Sequence, residues 1–339
     1  MVKENKNWNG KHIAISRVDS IGDVLLTLPV TAWLKERFPT CRITFFCKNY
    51  TAPIVKYYSA IDDIVKVDDL FTLPKHEQAD AIESLGIDAV VHVFPKKELA
   101  KLFKKAKVPT RIGTSHRLFH LNTCNIRPNF TRKKSPLHES QLNFELLRPF
   151  GLKEIPTFEQ VSKLTYLFSI EAQNLSEEFQ ALLDKKFVIL HPKSQGSARE
   201  WPIEKYIELA SKLIVNGYEV VFTGTESEGK QFRQLLPEDI RCHDSTGQLS
   251  IDQLIWLIKN ASALVACSTG PLHIAGFLHV KTIGLFSTRI PIHPGRWKPL
   301  GDHSTVIVFD ANCEKCKAKK ACDCISEIPV DTVLHEILN

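Results

Sequence analysis

The chain has 339 residues, with 44 Lys and Arg against 38 Asp and Glu, a formal net charge of +6. An apolar fraction of 43% and a charged fraction of 24% are those of a soluble globular protein and exclude a collagen, a mucin, an acidic disordered tract and a coiled-coil rod. The length favours two domains, each large enough for a core; no apolar run approaches the ~18 residues of a membrane span, and the polar start lacks a secretory signal's apolar stretch, which makes the cytoplasm the expected compartment.

Short β-rich runs alternate with helical stretches along the chain. His12–Val18 is apolar and β-branched, and Gly22-Asp23 opens a segment of helical periodicity from Val24 to Arg37. Ile43–Cys47, Ile61–Val67, Ile87–Phe94 and Arg111–Gly113 read as further strands. Alternation of this kind predicts βαβ units and a parallel sheet. Thr114–Pro136 breaks the rhythm and reads as a long functional loop. A helix over His138–Pro149 and a linker over Gly151–Thr157 follow. The alternation then restarts, with strands at Phe187–His191, Glu219–Thr223, Ala263–Cys267, Lys281–Phe286 and Thr305–Phe309. Helices are expected at Ile203–Asn216, Glu226–Leu236, Ile251–Asn260, Pro271–Leu278 and Pro329–Leu338. Two similar α/β halves in series form a doubly wound architecture, whose ligands bind at the carboxyl ends of strands.

Four strand-to-helix segments carry chemistry. Ser16-Arg17-Val18-Asp19-Ser20-Ile21-Gly22-Asp23-Val24 runs from the first strand into the first helix. A helix N-terminus offers free N–H groups to an anion, and a carboxylate there can act as a general base. Asp19 or Asp23 can equally be a helix cap. The segment has neither a GxGxxG nor a Walker pattern, which removes support for a dinucleotide dehydrogenase or a P-loop NTPase. His191 to Pro202, containing Ser194, Gln195, Gly196 and Arg199, offers hydroxyls, amides and a guanidinium suited to a pyrophosphate; the plain alternative is a solvent loop. In Cys267-Ser268-Thr269-Gly270-Pro271-Leu272-His273, two hydroxyls and the Gly270 amide would face a phosphate. His273, a lone histidine and by that token more often structural, adjoins them. His293 to Gly301 is a stiff loop with two cations, Arg296 and Lys298.

Taken together the four segments resemble glycosyltransferase family 9, the ADP-heptose:lipopolysaccharide heptosyltransferases. The matches are S-R-x-x-x-I-G-D-V-L-L-T-L-P at Ser16–Pro29, R-x-W-P at Arg199–Pro202, S-T-G-P-L-H-I-A at Ser268–Ala275 and P-G-R-W-x-P-x-G at Pro294–Gly301. The resemblance implies a GT-B fold, α/β, with two Rossmann-like domains facing across a cleft. It implies an acceptor-binding domain over 1–155, a nucleotide-sugar domain over 156–325 and a terminal helix over 326–339 that can pack back on the first domain. Asp23 takes the family's general base, with Ser20, Gly22, Lys104 and Arg111 on the acceptor side. Ser194, Gln195, Arg199, Ser268, Thr269, Gly270 and His273 take the donor side, with Glu226 or Glu228 on the ribose. Arg199 stands where several members carry Lys. Ser268 stands where many carry Asp, a departure that opens the identity of the donor sugar.

The implied chemistry is inverting transfer without a catalytic cofactor, from a nucleotide-sugar (ADP-heptose first) to a lipid-linked anionic glycan such as lipopolysaccharide core. Another nucleotide-sugar, or a catalytically silent glycan-binding protein, is the rival reading. The basic stretch Lys96, Lys97, Lys101, Lys104, Lys105, Lys107 and Arg111 suits transient contact with an anionic inner-membrane surface, or is a solvated helix face. The modest net charge and the lack of a recognised module speak against nucleic acid. Of nine cysteines, Cys41, Cys47, Cys124, Cys242 and Cys267 are scattered singly and read mostly as small buried hydrophobes. Cys313, Cys316, Cys322 and Cys324 cluster, and the spacing allows structural zinc, an iron–sulfur cluster, a redox disulfide or free thiols.

Overall fold

The structure is a computed structural model and describes residues 7–133 and 135–339. The polar start that lacks a secretory signal's apolar stretch falls largely outside these residues, as does Lys134 of the long loop. The chain divides into two compact units, one reaching Ser169 and the other spanning Ile170–Asn339.

The first unit is built on five parallel strands, β1 (His12–Ser16), β2 (Arg42–Cys47), β3 (Asp63–Lys66), β4 (Ala89–His92) and β5 (Thr110–Gly113), in the order β3-β2-β1-β4-β5. The second has six, β6 (Phe187–His191), β7 (Glu219–Phe222), β8 (Cys242–Asp244), β9 (Ala263–Cys267), β10 (Lys281–Phe286) and β11 (Ser304–Val308), in the order β11-β10-β9-β6-β7-β8. Here too every pairing is parallel. The central strands β1, β4, β6 and β9 are buried along their whole length. Burial on both faces is why they read as continuous apolar runs and not as alternating ones. β8 escaped the sequence reading because Cys-His-Asp is short and polar and lies at a sheet edge.

Helices cover both sheets. In the first unit the helix Lys97–Lys105 buries Leu99, Ala100 and Phe103 and leaves Lys101, Lys104 and Lys105 in solvent; Phe103 meets Phe46 of β2 edge-on at 5.0 Å. In the second unit Trp201, Tyr206, Leu213, Val265 and Ile283 share one core. That core also contains Ile328, Val330, Val333 and Ile337, so the terminal helix Val330–Leu338 packs within the second unit. Its apolar residues are spaced to fill the surface of the helix Ile203–Val215. The unit boundary also lies later than the linker at Gly151–Thr157 suggested. Thr157 caps a helix over Phe158–Lys163, and the segment beyond returns to the first unit: Tyr58 bridges to Phe168, and the Tyr58 hydroxyl donates to the Leu164 carbonyl at 3.0 Å.

The strand orders fix where ligands can sit. In each sheet the chain reverses its winding between two central strands, β1 and β4 in one and β6 and β9 in the other. A crevice opens outside the carboxyl ends at such a point. The motif segments leave the sheets there, after β1, β6 and β9.

Candidate functional site

In the first unit the segment after β1 turns into a helix at Ile21–Leu25 with Ser20 as N-cap. Among the described residues no side chain makes an N-cap bond to this helix, so neither Asp19 nor Asp23 serves as its cap. The Ser20 hydroxyl instead donates to Asp23 Oδ2 at 2.5 Å, while Arg17 Nη2 donates to Asp23 Oδ1. Both carboxylate oxygens are thereby oriented. Arg17 Nε donates to Asp19 Oδ1 at 2.7 Å, and Nη1 lies 3.5 Å from Glu139 Oε1. Glu139 also pairs with Arg132, whose Nη2 donates to Asn143 Oδ1 at 3.0 Å. Asn143 Nδ2 in turn donates to the Leu26 carbonyl at 2.9 Å.

Two guanidiniums against three carboxylates leave this cluster one negative charge. Arg17 is only 4% exposed at its side chain, whereas Asp19 and Asp23 are 20% and 18% exposed. The cation is therefore the buried side of the cluster, and Asp19 and Asp23 are its solvent-facing side. Burial opposes the Arg17 charge, but Asp19, Asp23 and Glu139 outweigh it and hold the guanidinium ionised. Burial pushes Asp19 up to about 6, against the pull of Arg17. Sequence reasoning gave Arg17, Glu139 and Asn143 no site roles, and weighed Asp19 only beside Asp23, as a base or a helix cap. Arg17 lies inside the motif, and its position directly after a strand is a usable signal; Glu139 and Asn143 lie some 120 residues away, where no local pattern points to them. Gly22 is buried within the helix beside Asp23.

In the second unit the loop after β6 is a closed turn. Gln195 and Gly196 take left-handed conformations, φ 49° and 79°. The Ser194 amide and hydroxyl both reach Glu200 Oε1, at 2.8 and 3.0 Å, and Lys193 Nζ reaches Glu200 Oε2 at 3.1 Å. Burial raises the Glu200 pKa, but the bonds from Lys193 and Ser194 prevail and hold it below the usual range. Ser194 is thus spent inside the loop and not presented to a phosphate, since a single hydroxyl proton is already engaged. Arg199 Nη1 donates to the Cys322 carbonyl at 2.5 Å, which leaves the rest of its five donors.

After β9, Ser268 leads to Thr269, the N-cap of the helix Gly270–Phe277, with Pro271 in its first turn. Thr269 makes no side-chain cap, and its buried hydroxyl has no partner among the described residues. First-turn amides and a hydroxyl of this kind suit an anion by the ordinary physics of helix termini. His273 is buried one turn in. The fourth motif lies directly on this helix. A Cβ on Gly276 would stand 2.1 Å from the Leu300 carbonyl oxygen, and one on Gly301, φ 110°, would stand 2.1 Å from the Gly276 carbonyl oxygen. Two glycines let the backbones touch, which joins the third and fourth motifs into one rigid block with Arg296 buried in it.

The structure separates the two candidate glutamates. Glu228 closes a capping box: its Oε2 accepts from the Thr225 N–H at 2.7 Å and from the Thr225 hydroxyl at 2.9 Å, and it is buried. Glu226 lies at the surface, held by Arg233 Nη2 at 2.9 Å, and so is the one open to a ligand. On the acceptor side Lys104 is exposed. Arg111, expected on the acceptor side, makes two bonds within its own unit. Its Nε donates to the Thr123 carbonyl at 2.8 Å and its Nη1 to the Val108 carbonyl, so its guanidinium ties the long loop to the sheet. That loop carries a short helix, His120–Thr123. The sulfur atoms of Cys313, Cys316, Cys322 and Cys324 all lie within 4.8 Å of one another. A cavity of about 630 Å³ lies elsewhere in the first unit, beside Phe46, Lys56 and Leu70, and none of the predicted site residues lines it.

Two parallel sheets with motif loops at their switch points define an α/β protein of the GT-B class. Comparison with known proteins narrows this. The family model for glycosyltransferase family 9 (heptosyltransferase) matches residues 95–324, and the chain belongs to that family of enzymes. It is 24% identical over 303 residues to the lipooligosaccharide heptosyltransferase 2 of Haemophilus influenzae, covering 85% of each chain. Among solved structures it resembles the family 9 glycosyl transferase of Veillonella parvula, at 19% identity and TM-score 0.77 over 99% of both chains. It also resembles the Escherichia coli heptosyltransferase WaaC with ADP, at 16% identity and TM-score 0.72 over 96% of this chain and 99% of that one. Among the described residues no helix is long and apolar enough to cross a membrane.

Proposed function

We propose that the protein transfers a sugar, heptose from ADP-heptose first among donors, to a lipopolysaccharide-core or related surface-glycan acceptor with inversion. The observation that carries this reading is the clamp on Asp23, one oxygen taken by Arg17 and the other by Ser20. An acceptor hydroxyl is a poor nucleophile at neutral pH, and a fixed carboxylate takes its proton as the bond to the anomeric carbon forms. Charge then builds on the leaving diphosphate. The first-turn amides after Thr269, the Thr269 hydroxyl, Ser268 and the unspent donors of Arg199 oppose that charge. Glu226 meets the ribose hydroxyls, while Gln195, Gly270 and His273 shape the seat. Ser20, Gly22 and Lys104 lie on the acceptor side.

The names of the relatives support heptose and ADP. The exposed lysines of the helix Lys97–Lys105 support attraction to an anionic lipid-linked glycan at the inner face of the cytoplasmic membrane, where a cytoplasmic enzyme binds peripherally. The transfer itself needs no cofactor, and the tail cysteines are read as a structural metal site. Ser268 favours one second reading, transfer of another sugar from a different nucleotide, because the family's usual Asp is missing there. The test is a transfer assay with ADP-heptose and a panel of UDP-, GDP- and ADP-sugars on truncated lipopolysaccharide. Product with ADP-heptose is expected. Product only from another donor replaces the sugar, and nucleotide binding without product from any donor on any truncated acceptor overturns the enzyme reading.

A further inference from the structure

We propose that Cys313, Cys316, Cys322 and Cys324 hold one thiophilic divalent ion, zinc(II) or iron(II), as a closed four-thiolate site, and that this ion positions Arg199 in the donor loop. The site stands on its own geometry. Its consequence for Arg199 rests on the donor reading above.

The geometry fits one ion better than it fits the disulfide or the iron–sulfur cluster that spacing leaves open. Cys313 Sγ lies 3.3 Å from Cys322 Sγ, and Cys322 Sγ lies 3.0 Å from Cys324 Sγ. A disulfide needs ~2.05 Å, and all nine cysteines are free. Around a zinc ion with bonds of ~2.3 Å, tetrahedral thiolates stand roughly 3.8 Å apart. The spread from 3.0 Å to the 4.8 Å limit brackets that value. A cluster of several irons spreads its thiolates wider than one ion does. Four thiolates leave no open position, which is the pattern of a structural site and not of a catalytic one.

The local chain supports the same reading. Cys313 is the N-cap of one turn of helix, Glu314–Lys317, that contains Cys316, and the Lys317 amide returns to the Cys313 carbonyl at 3.1 Å. The Cys324 amide donates to Cys322 Sγ at 3.5 Å, the kind of bond that orients a metal thiolate. Cys313, Cys316 and Cys324 are buried, yet the apolar cluster they form contains only cysteines, with Cys322 packed against it. A segment with no core beyond its thiols needs something else to hold it. On binding, each sulfur loses its proton to solvent and gives a lone pair to the ion; Lys315, Lys317, Lys319 and Lys320 in the same segment offset the negative charge.

The consequence follows from one bond. Arg199 Nη1 donates to the carbonyl of Cys322, a ligand residue. Arg289 Nη1 donates to the Lys320 carbonyl at 3.1 Å. Downstream of the site, Trp201 Nε1 and Lys205 Nζ both donate to the Ile328 carbonyl, at 3.1 and 2.9 Å. The ion fixes the carbonyl and the carbonyl aims the guanidinium, so Cys322 is a positioning residue.

The experiment uses the full chain purified without chelator or metal-affinity steps. Elemental analysis is expected to give one zinc or iron per chain, and absorption distinguishes the two: iron(II) gives thiolate charge-transfer bands in the near-ultraviolet that move into the visible when air oxidises it to iron(III), and zinc gives neither and shows visible bands only when exchanged for cobalt(II). A mercurial is expected to release the metal together with four thiols. Metal below a tenth per chain, with thiols already reactive and no cobalt uptake, overturns the site. For positioning, amide hydrogen exchange across 194–201 is expected to quicken about tenfold in Cys322→Ser and on reversible metal removal, and to recover when zinc or iron is restored. ADP affinity is expected to fall about tenfold in Arg199→Ala and in Cys322→Ser, with no further loss in the double variant. Unchanged exchange in metal-free protein overturns the positioning role. Failure of the wild-type chain to bind ADP overturns the donor reading, and metal content and exchange then decide the site by themselves.

Discussion

The end of β1 in the first unit and the end of β9 in the second are built to one plan, a buried strand running into a helix N-terminus. They are furnished in opposite ways. After β1 the site is a knot of formal charge, Arg17 with Asp19, Asp23 and Glu139. After β9 it is backbone and hydroxyl, with Thr269 and no charged side chain at the N-cap. The difference matches the two halves of the transfer proposed above. Taking a proton demands a group that changes its own charge, and a carboxylate does so. Receiving a departing diphosphate demands fixed dipoles that do not reorganise as charge arrives. The first site is therefore sensitive to single charge changes, and the second to backbone geometry.

The largest expected effect is on Asp23, the proposed proton acceptor. Asp23→Asn keeps shape and the partners Arg17 and Ser20 but removes the base. Turnover is expected to fall by roughly 10²–10⁴-fold while ADP affinity, measured by calorimetry, stays as it was. Equal loss of ADP affinity would break the division of labour between the units. Arg17→Met tests the support. It leaves Asp19, Asp23 and Glu139 without their shared cation, and breaking a buried pair of this kind costs about 3–5 kcal/mol. Urea unfolding is expected to report that loss; a midpoint like the wild type's would mean that Arg132 alone suffices.

Asp19 gives the same cluster a pH signature. Its folded pKa of about 6 stands above the ordinary 3.8. Between those values the folded chain holds a proton that the unfolded chain has lost, so stability falls as pH rises through that window and the cost is complete above it. Asp19→Asn removes the charge. The variant is expected to be more stable than wild type at pH 7.5, with the gap closing as the pH falls to 4. A gap that widens toward acid would reverse the sign and place the burial cost elsewhere. In the second unit a backbone change is the sharper probe. Gly276→Ala drives a methyl into the Leu300 carbonyl and is expected to cost about 1–3 kcal/mol, as overpacking does, with weaker ADP binding because the 294–301 loop must move.

What the sequence disclosed follows from the same contrast. Strands such as Phe187–His191 and Ala263–Cys267 were legible to the residue because burial on both faces leaves a continuous apolar run. The motif loops were legible because Gly, Pro and Ser mark strand-to-helix turns. Partners that meet only through the fold were not. Nothing near Arg17 announces Glu139, and nothing in Arg111 shows that its guanidinium reaches the Val108 and Thr123 carbonyls. Ser194 has the look of a phosphate contact until its neighbour six residues on, Glu200, is seen to claim it. The terminal helix is legible as a helix, but periodicity gives the width of an apolar face and not the surface it covers.

The glutamates after β7 give the smallest and most discriminating case, since two like residues two positions apart differ only in what holds them. Glu228 is committed to Thr225, so Glu228→Gln loses a charge-assisted cap worth about 1 kcal/mol and is expected to lower the unfolding midpoint with ADP affinity unchanged. Glu226 is exposed and paired with Arg233, an exposed pair worth little to stability. Glu226→Gln keeps an acceptor for one ribose hydroxyl but loses the charge, and ADP affinity is expected to fall about tenfold, or ~1.4 kcal/mol, with the midpoint unmoved. The control is ribose itself: the 2′-deoxy nucleotide should bind wild type and Glu226→Gln alike. If instead Glu228→Gln carries the affinity loss, the capping box opens when nucleotide binds, and the second site joins the first in relying on a charged side chain.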